Sequence, residues 1–383
     1  MKIFLCVILL VFTFYWSEAQ YKVVFKLNQV PQLHNTDTVF MAGNFNKWAP
    51  ANKAYFFSAN KNFFSVLLPA GDYAFKCTRG DWEKVECHTD GKDIKNHLFT
   101  VQSDTTVDID IDAWKDDFNI IPKQHTAGHQ VQIMDTAFFM PQLNRSRRIW
   151  IYLPEDYTKN KNRYPVLYMH DGQNLFDECT SAYGEWGVDE CLDSLVKSGK
   201  PACIVVGIEN GPQRMNEYNP YGFQQFGEGE GDRYLKFIID DLKPFIDKKY
   251  RTLPAKENTM MAGSSMGGLI SYYAMLQYPG VFGKAGIFSP SFWIAPAIRS
   301  LTDSLAATNN SKFFFYAGEK EGEAFVKDME AVQELLGEKS AAMIYSVIDG
   351  ESSHNEQAWR KWFPEFYNWI MADGYNTVIK IKE

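Results

Sequence analysis

MMAGSSMGGLISYYAM, residues 260–275, runs from an apolar segment through a serine set between glycines into a helical pattern. TMMAGS (259–264) has the length and continuous apolarity of a buried strand, and MGGLISYYAMLQY that of a helix. Gly263-Ser264-Ser265-Met266-Gly267 therefore fits G-x-S-x-G in the context that motif requires. A sharp strand-to-helix turn crowds backbone against backbone, which calls for glycines, and leaves the serine hydroxyl exposed at the edge of a sheet. Ser265 is the expected nucleophile.

Working outward, the same grammar extends from about residue 130. Apolar runs QVQIMDTAFF, RRIWIYLP, PVLYMHD, ACIVVGI, KAGIFSP, KFFFYAG and AMIYSVID join TMMAGS, and the later ones are continuous, as strands covered on both faces should be. Between them lie helical stretches such as GDRYLKFIIDDLKPFIDKKY, EAFVKDMEAVQELLG and NEQAWRKWFPEFYNWI. This alternation predicts a mostly parallel eight-stranded sheet with right-handed crossovers, an α/β domain over 129–383. The tail YNTVIKIKE either adds an edge strand or stays loose.

Chain order tests the serine, because hydrolases of this architecture place the acid and then the histidine after it. His354 is the one histidine that follows Ser265, and it lies in VIDGESSHNEQAW, after the last of the eight strands and before the last helix. Glu319, Glu321 and Glu323 in GEKEGE stand just past KFFFYAG, where an acid could orient the imidazole. An oxyanion needs backbone donors. Met266 at the helix start supplies one, and the loop after PVLYMH supplies the other, preferably Gln173, with Gly172 permitting the tight turn. His170 reads as a structural residue, and Trp293 in FSPSFWI as a lining residue of a substrate pocket. No cofactor and no metal is expected, since no His/Cys cluster has zinc-ligand spacing.

Residues 20–114 follow a different pattern. YKVVFKL, DTVFMAG, NFFSVLLPAG, DYAFKCTRGDW, HLFTV and TTVDIDI are short runs with turns about every ten residues, which predicts an all-β sandwich. KDDFNIIPKQHTAG, residues 115–128, is polar, holds Pro and Gly, and reads as a linker. Residues 1–19 carry one Lys, a long apolar run and a small-x-small ending at Ser17-Glu18-Ala19, so a signal peptide and a secreted or periplasmic location are expected. Cys77/Cys87 and Cys179/Cys191 are near enough in sequence for disulfides, with buried thiols the alternative; Cys203 makes the number odd. The net charge of -8, without a Lys/Arg-rich patch, argues against nucleic acid as a partner, and no later stretch is apolar enough to span a membrane.

Two resemblances add to this reading. The GSSMGG elbow with YPVLYMHDGQNLF, CIVVGIENGPQRMNEYNP, FIIDDLKPFIDKKYRT, YAGEKEGE and GESSHNEQAWR resembles the esterase D-like α/β-hydrolases over about Gln130 to Ala372. That family includes feruloyl and acetyl esterases, siderophore trilactone esterases and formylglutathione hydrolases. The resemblance implies a Ser/His/Glu esterase, probed on an ester-bearing small molecule or polysaccharide. It places the acid three residues beyond the glycine ending its strand, which selects Glu321, although many members have Asp there. Arg214, Glu217 and Tyr218 match an R-x-x-E-Y block read as a structural ion pair.

The first region, through VFMAGNFNKW and NFFSVLLPAGDYAFKCTRGDW, is similar to the immunoglobulin-like sandwich modules that bind starch and glycogen. This resemblance implies a glycan ligand stacked on Trp48 and Trp82, with Lys76 and Asn96 as polar partners. A feruloyl or acetyl ester on polysaccharide is the leading substrate expectation, with a siderophore ester or a catalytically silent glycan binder as rivals.

Overall fold

The computed structural model describes residues 19–57, 61–118, 123–223 and 227–372 and the backbone of 379–382. The expected signal peptide, residues 1–19, lies outside the described residues except for Ala19. The chain divides into two compact units, separated between positions 121 and 122.

The first unit is β-rich. Its strands are β1 (Gln20–Gln29), β2 (Val39–Gly43), β3 (Phe56–Phe57), β4 (Phe63–Pro69), β5 (Gly71–Thr78), β6 (Glu86–Cys87), β7 (His97–Val101), β8 (Thr105–Asp110) and β9 (Ala113–Trp114). One sheet has the order β4-β1-β8, a second β3-β2-β5-β7, and β6 pairs with β9. Alternation sends Val23, Phe25 and Leu27 of the first sheet and Met41, Phe75 and Cys77 of the second into one shared core.

The second unit is a three-layer α/β structure. Its strands are β10 (Val131–Met140), β11 (Arg145–Tyr152), β12 (Val166–His170), β13 (Ile204–Ile208), β14 (Thr259–Ser264), β15 (Lys284–Phe288), β16 (Lys312–Gly318), β17 (Met343–Asp349) and β18 (Ile379–Lys382). They form one sheet in the order β10-β11-β13-β12-β14-β15-β16-β17-β18. β10, β11 and β13 pair antiparallel and the rest pair parallel. All eight expected strands are present; the sheet has nine because the tail adds β18 beside β17.

Among the described residues the α-helices are α1 (Val188–Lys197), α2 (Arg214–Glu217), α3 (Gly231–Phe237), α4 (Lys243–Lys249), α5 (Met266–Gln277), α6 (Ala297–Leu305), α7 (Glu323–Lys339) and α8 (Glu356–Met371). A π-helical turn at Ile238–Leu242 joins α3 to α4. Successive residues of a strand serve opposite faces: Phe313 and Phe315 join the core that includes α5, while Phe314 and Tyr316 join the core that includes α8. Covering both faces explains why these strands read as unbroken apolar runs. α5 is apolar and buried nearly all round because it sits inside this core.

Residues 115–128, expected as a linker, are not free along their described length. Lys115–Asp117 form a turn in the first unit. Lys123, His125, Thr126 and Gly128 are tied to Ser181, Asp177, Glu185 and Asp189 of the second. The five described cysteines are free thiols, so neither expected disulfide forms.

α8 seals one face of the sheet. Phe366 is fully buried against Phe288 and Phe314 at ring distances of 5.6 and 5.5 Å, in space that Gly286 leaves open. Phe366→Ala should leave a cavity costing about 3–5 kcal/mol. Urea unfolding followed by the second unit's tryptophans checks this; a loss under about 1 kcal/mol would mean that α8 contributes little to the core.

Candidate active site

β14 lies at the middle of the sheet, between β12 and β15, and delivers Ser265 to the sheet's C-terminal edge. Ser265 has φ 59° and ψ −121°, a left-handed conformation that costs a residue with a side chain on the order of 1–3 kcal/mol. Tight surroundings hold it there. A Cβ at Gly263 would stand 2.9 Å from both the Gly267 backbone and the His170 ring, and one at Gly268 would stand 2.8 Å from the Phe288 carbonyl. The Ser265 N–H donates to the Phe288 carbonyl at 2.9 Å, and its own carbonyl accepts from Leu269 of α5.

His170 fills the space that Gly263 leaves. It is buried, its Nδ1 meets the Tyr234 hydroxyl at 2.9 Å, and burial pushes its pKa down to about 4, so it is a neutral packing residue at ordinary pH. This matches the structural role read from the sequence.

Glu321 stands in the 3-10 turn Glu319–Glu321 that follows β16, and His354 in the loop between β17 and α8. His354 Nδ1 donates to Glu321 Oε2 at 2.7 Å. The other oxygen, Oε1, accepts from the Gly318 N–H at 2.8 Å and from the Ser289 hydroxyl at 2.6 Å. Ser289 is fully buried and accepts in turn from the Trp359 indole N–H at 2.9 Å. The rings of Trp359 and Phe325 meet the His354 imidazole edge-on at 5.1 and 5.6 Å. The Glu321 side chain is 1% exposed and that of His354 is 35% exposed, so the acid is sealed and the base is accessible. Glu323 pairs instead with Lys327, one turn along α7.

The Ser265 hydroxyl itself bonds Ser291 Oγ, at 3.1 Å, and not His354. Both nevertheless belong to one edge. β14, β15, β16 and β17 are in register at Ser264, Phe288, Tyr316 and Val347, and Ser265, Ser289, Glu321 and His354 all follow those positions. With Nδ1 turned to Glu321, Nε2 is the ring nitrogen left to act as a base.

On the other side of Ser265, Met266 is the first residue of α5, and the first N–H of a helix has no acceptor within it. Gln173 lies in the 3-10 turn Gly172–Asn174 after β12. Its carbonyl accepts from Thr180 at 2.7 Å and its side-chain oxygen from the Asn210 N–H at 3.2 Å, which fixes both ends of the residue. Gly172 is required, since a Cβ there would stand 2.7 Å from the Gly207 backbone. Asp171, at φ 58°, is held in the left-handed region by Arg214 at 2.7 and 2.8 Å and by Asn210 at 2.7 Å.

That pairing corrects one expectation. Arg214 does not pair with Glu217, which instead binds Arg145 and Arg147, each at 2.7 Å. Trp293 is 52% exposed, two residues past Ser291, with Phe223 edge-on at 6.2 Å.

In the first unit, the rings of Trp48 and Trp82 come together at 6.4 Å, inclined by 38°. Lys76 lies in β5, and Asn96 immediately precedes β7, whose His97 pairs with Phe75.

Sequence reasoning missed Ser289, Ser291, Trp359, the Asp171–Arg214 pair and Glu356. Glu356 opens α8 two residues past His354 and is buried; its carboxyl is pushed up to about 7, chiefly by burial, with the negative charge of Asp171 adding to it. An acid that keeps its proton longer when folded stabilises the fold below its unfolded pKa and loses that contribution as pH rises. Between pH 4.5 and 7, stability should therefore fall by up to about 3 kcal/mol on account of Glu356. Glu356→Gln should flatten that decline in urea titrations; an unchanged slope would assign it to other groups.

Comparison with known proteins agrees with this architecture. The family model described as "Putative esterase" matches residues 141–369. The protein YbbA of Bacillus subtilis (strain 168) is 28% identical over 250 residues, 61% of this chain and 96% of that one. An endo-1,4-beta-xylanase/feruloyl esterase of Xylanibacter ruminicola is 29% identical over 259 residues, 66% of this chain but 33% of that protein. Among solved structures, the enterobactin esterase FES of Shigella flexneri aligns with a TM-score of 0.51 at 16% identity, covering 91% of this chain and 92% of that one, a likeness of fold. The chain belongs to this esterase family of α/β-hydrolases.

Proposed function

We propose that the protein is a serine esterase in which Ser265 is the nucleophile, His354 the general base and then acid, and Glu321 the residue that orients His354. The observation that carries this reading is the sealed Glu321 bound to Nδ1 of an accessible His354, on the same strand edge as a serine in elbow conformation. Ser265 Oγ would attack the ester carbonyl as its proton passes to His354 Nε2, and the backbone N–H groups of Met266 and Gln173 would receive the oxyanion. His354 would return the proton to the leaving alcohol. Water would then hydrolyse the acyl-enzyme by the same route.

Ser265 Oγ rests on Ser291 and is not hydrogen-bonded to His354, so Ser265 Oγ and His354 Nε2 must close on each other for this step. No step calls on a metal or an organic cofactor.

For the substrate, we infer an acyl ester on polysaccharide or oligosaccharide, with an aromatic acyl such as feruloyl ahead of acetyl. Exposed Trp293, two residues from the serine that touches Ser265 and backed edge-on by half-buried Phe223, offers an aromatic wall on which an aromatic acyl group would stack. A relative whose name joins xylanase to feruloyl esterase supports the same class. The first unit is read as an immunoglobulin-like module on which Trp48 and Trp82, with Lys76 and Asn96, engage a glycan. The apolar leader at residues 1–19 supports a secreted or periplasmic enzyme.

Ser265→Ala should lower ester hydrolysis about 10⁶-fold while leaving the fold intact. Assays should compare methyl ferulate, feruloylated oligosaccharide, acetylated xylan and a siderophore trilactone. Ferulate release that exceeds the rest and vanishes in the variant is the expected outcome; turnover of the trilactone alone would move the enzyme to siderophore esters.

Trp48→Ala combined with Trp82→Ala should abolish retention of the wild-type chain on insoluble arabinoxylan or starch without changing methyl ferulate hydrolysis. Equal retention of both proteins would remove the glycan role from the first unit.

A further inference from the structure

The segment that follows β15, Ser289-Pro290-Ser291, touches both ends of the proposed triad. Ser289 donates to Glu321, and Ser291 reaches Ser265 twice: its N–H donates to the Ser265 carbonyl at 3.1 Å and its Oγ lies 3.1 Å from Ser265 Oγ. Ser291 is 4% exposed, so its hydroxyl cannot rely on bulk water for a partner. The segment is wedged in place. The Cα of Pro290 lies 3.2 Å from where a Cβ at Gly268 would stand, and Ser289, at φ 42°, is pinned by Trp359 and Glu321.

We propose that Ser291 is a further catalytic residue whose hydroxyl donates to the oxygen of Ser265 while that oxygen acts as nucleophile. The inference rests on Ser265 being the nucleophile, as proposed above. Two hydroxyls in contact share one hydrogen bond, and either can be its donor in the resting protein. When the Ser265 proton is committed to His354 Nε2, Ser265 Oγ has lone pairs only, and Ser291 becomes the donor. In this step one O–H bond breaks, at Ser265, and one N–H bond forms, at His354. Ser291 keeps its proton throughout.

The oxygen gains negative charge as it attacks, so a neutral hydrogen bond becomes a charge-assisted one, roughly twice as strong. The interaction is thus stronger in the transition state than in the ground state, which is the condition for raising the rate of the chemical step. Once Ser265 is acylated its Oγ is an ester oxygen, a weaker acceptor. The effect of Ser291 is therefore concentrated in acylation.

The test uses the full chain and a fluorophosphonate probe, with methyl ferulate as the ester. Ser291→Ala should lower both the second-order rate of Ser265 labelling and kcat/KM by about 10- to 100-fold. KM should stay near the wild-type value and the pH at half-maximal kcat/KM should not move, because His354 and Glu321 are untouched. Ser291→Thr keeps the hydroxyl and should recover most of the rate.

Circular dichroism and thermal melting of each variant report folding separately. A folded Ser291→Ala that labels as fast as wild type, or faster, overturns the proposal and makes Ser291 an idle or restraining neighbour. A folded Ser291→Thr as slow as Ser291→Ala also overturns it. If Ser291→Ala fails to fold, Ser291→Cys, with its weak S–H donor, replaces it, and wild-type labelling rates there overturn the proposal equally. Wild-type protein that takes no label at Ser265 overturns this proposal together with the reading beneath it; normal wild-type labelling with an unaffected variant overturns this one alone.

Discussion

The turn at Ser265 is the constraint on which the rest of the candidate site depends. A serine at φ 59° and ψ −121° persists only where its neighbours over-determine it. Here they do so by crowding. Gly263, Gly267 and Gly268 let β14 and α5 approach; His170 occupies the room at Gly263 and Gly267, and the Phe288 carbonyl and Pro290 that at Gly268. His170 must stay uncharged to sit there, which burial beside Tyr234 secures. A protonated imidazole at that depth would carry an unpaired charge next to the nucleophile. The backbone of Ser265 then organises the next strand, through its N–H to Phe288 and its carbonyl to Ser291.

Much of this was legible in the sequence, and the reason is burial. Strands covered on both faces have to be apolar at every position, so β12 to β17 stand out as continuous runs, and α5, enclosed in the core, does too. Ser265 and His354 as candidates follow from the elbow motif and chain order, which leave Glu319, Glu321 and Glu323 open as the acid; the family resemblance is what selects Glu321. β18 was left open because four residues of IKIK at the end of a polar tail carry little signal. α1 and α6 were missed because each buries only two or three residues and shows the core a narrow stripe.

The side-chain network around the site was not legible, and for a different reason. Arg214 and Glu217 are three apart, the spacing of a helical ion pair, yet α2 is a single turn and both residues face away from each other's reach into separate tasks. Arg214 neutralises Asp171, 43 positions earlier, while Glu217 balances two arginines 70 and 72 positions away. Each partner is chosen by the sheet order, which places β12, β13 and β11 side by side although they are distant in the chain. Ser289 and Ser291 were equally hidden. A serine after a strand is ordinary in a sequence, and only the register of β15 with β14 and β16 makes one meet Glu321 and the other Ser265.

The turn that follows β16 explains how Glu321 is held against His354. Gly318 ends β16 where a side chain would run into the Ser352 carbonyl, so the chain must turn at once into the 3-10 turn Glu319–Glu321. That turn bends Glu321 back over its own start, where the Gly318 N–H caps one carboxylate oxygen. From there its other oxygen reaches His354, and Ser289 and Gly318 together remove the freedom that a long side chain would otherwise have. The acid's length and its second pair of donors are therefore one solution: reach is gained from the side chain and rigidity is restored by the neighbouring loop.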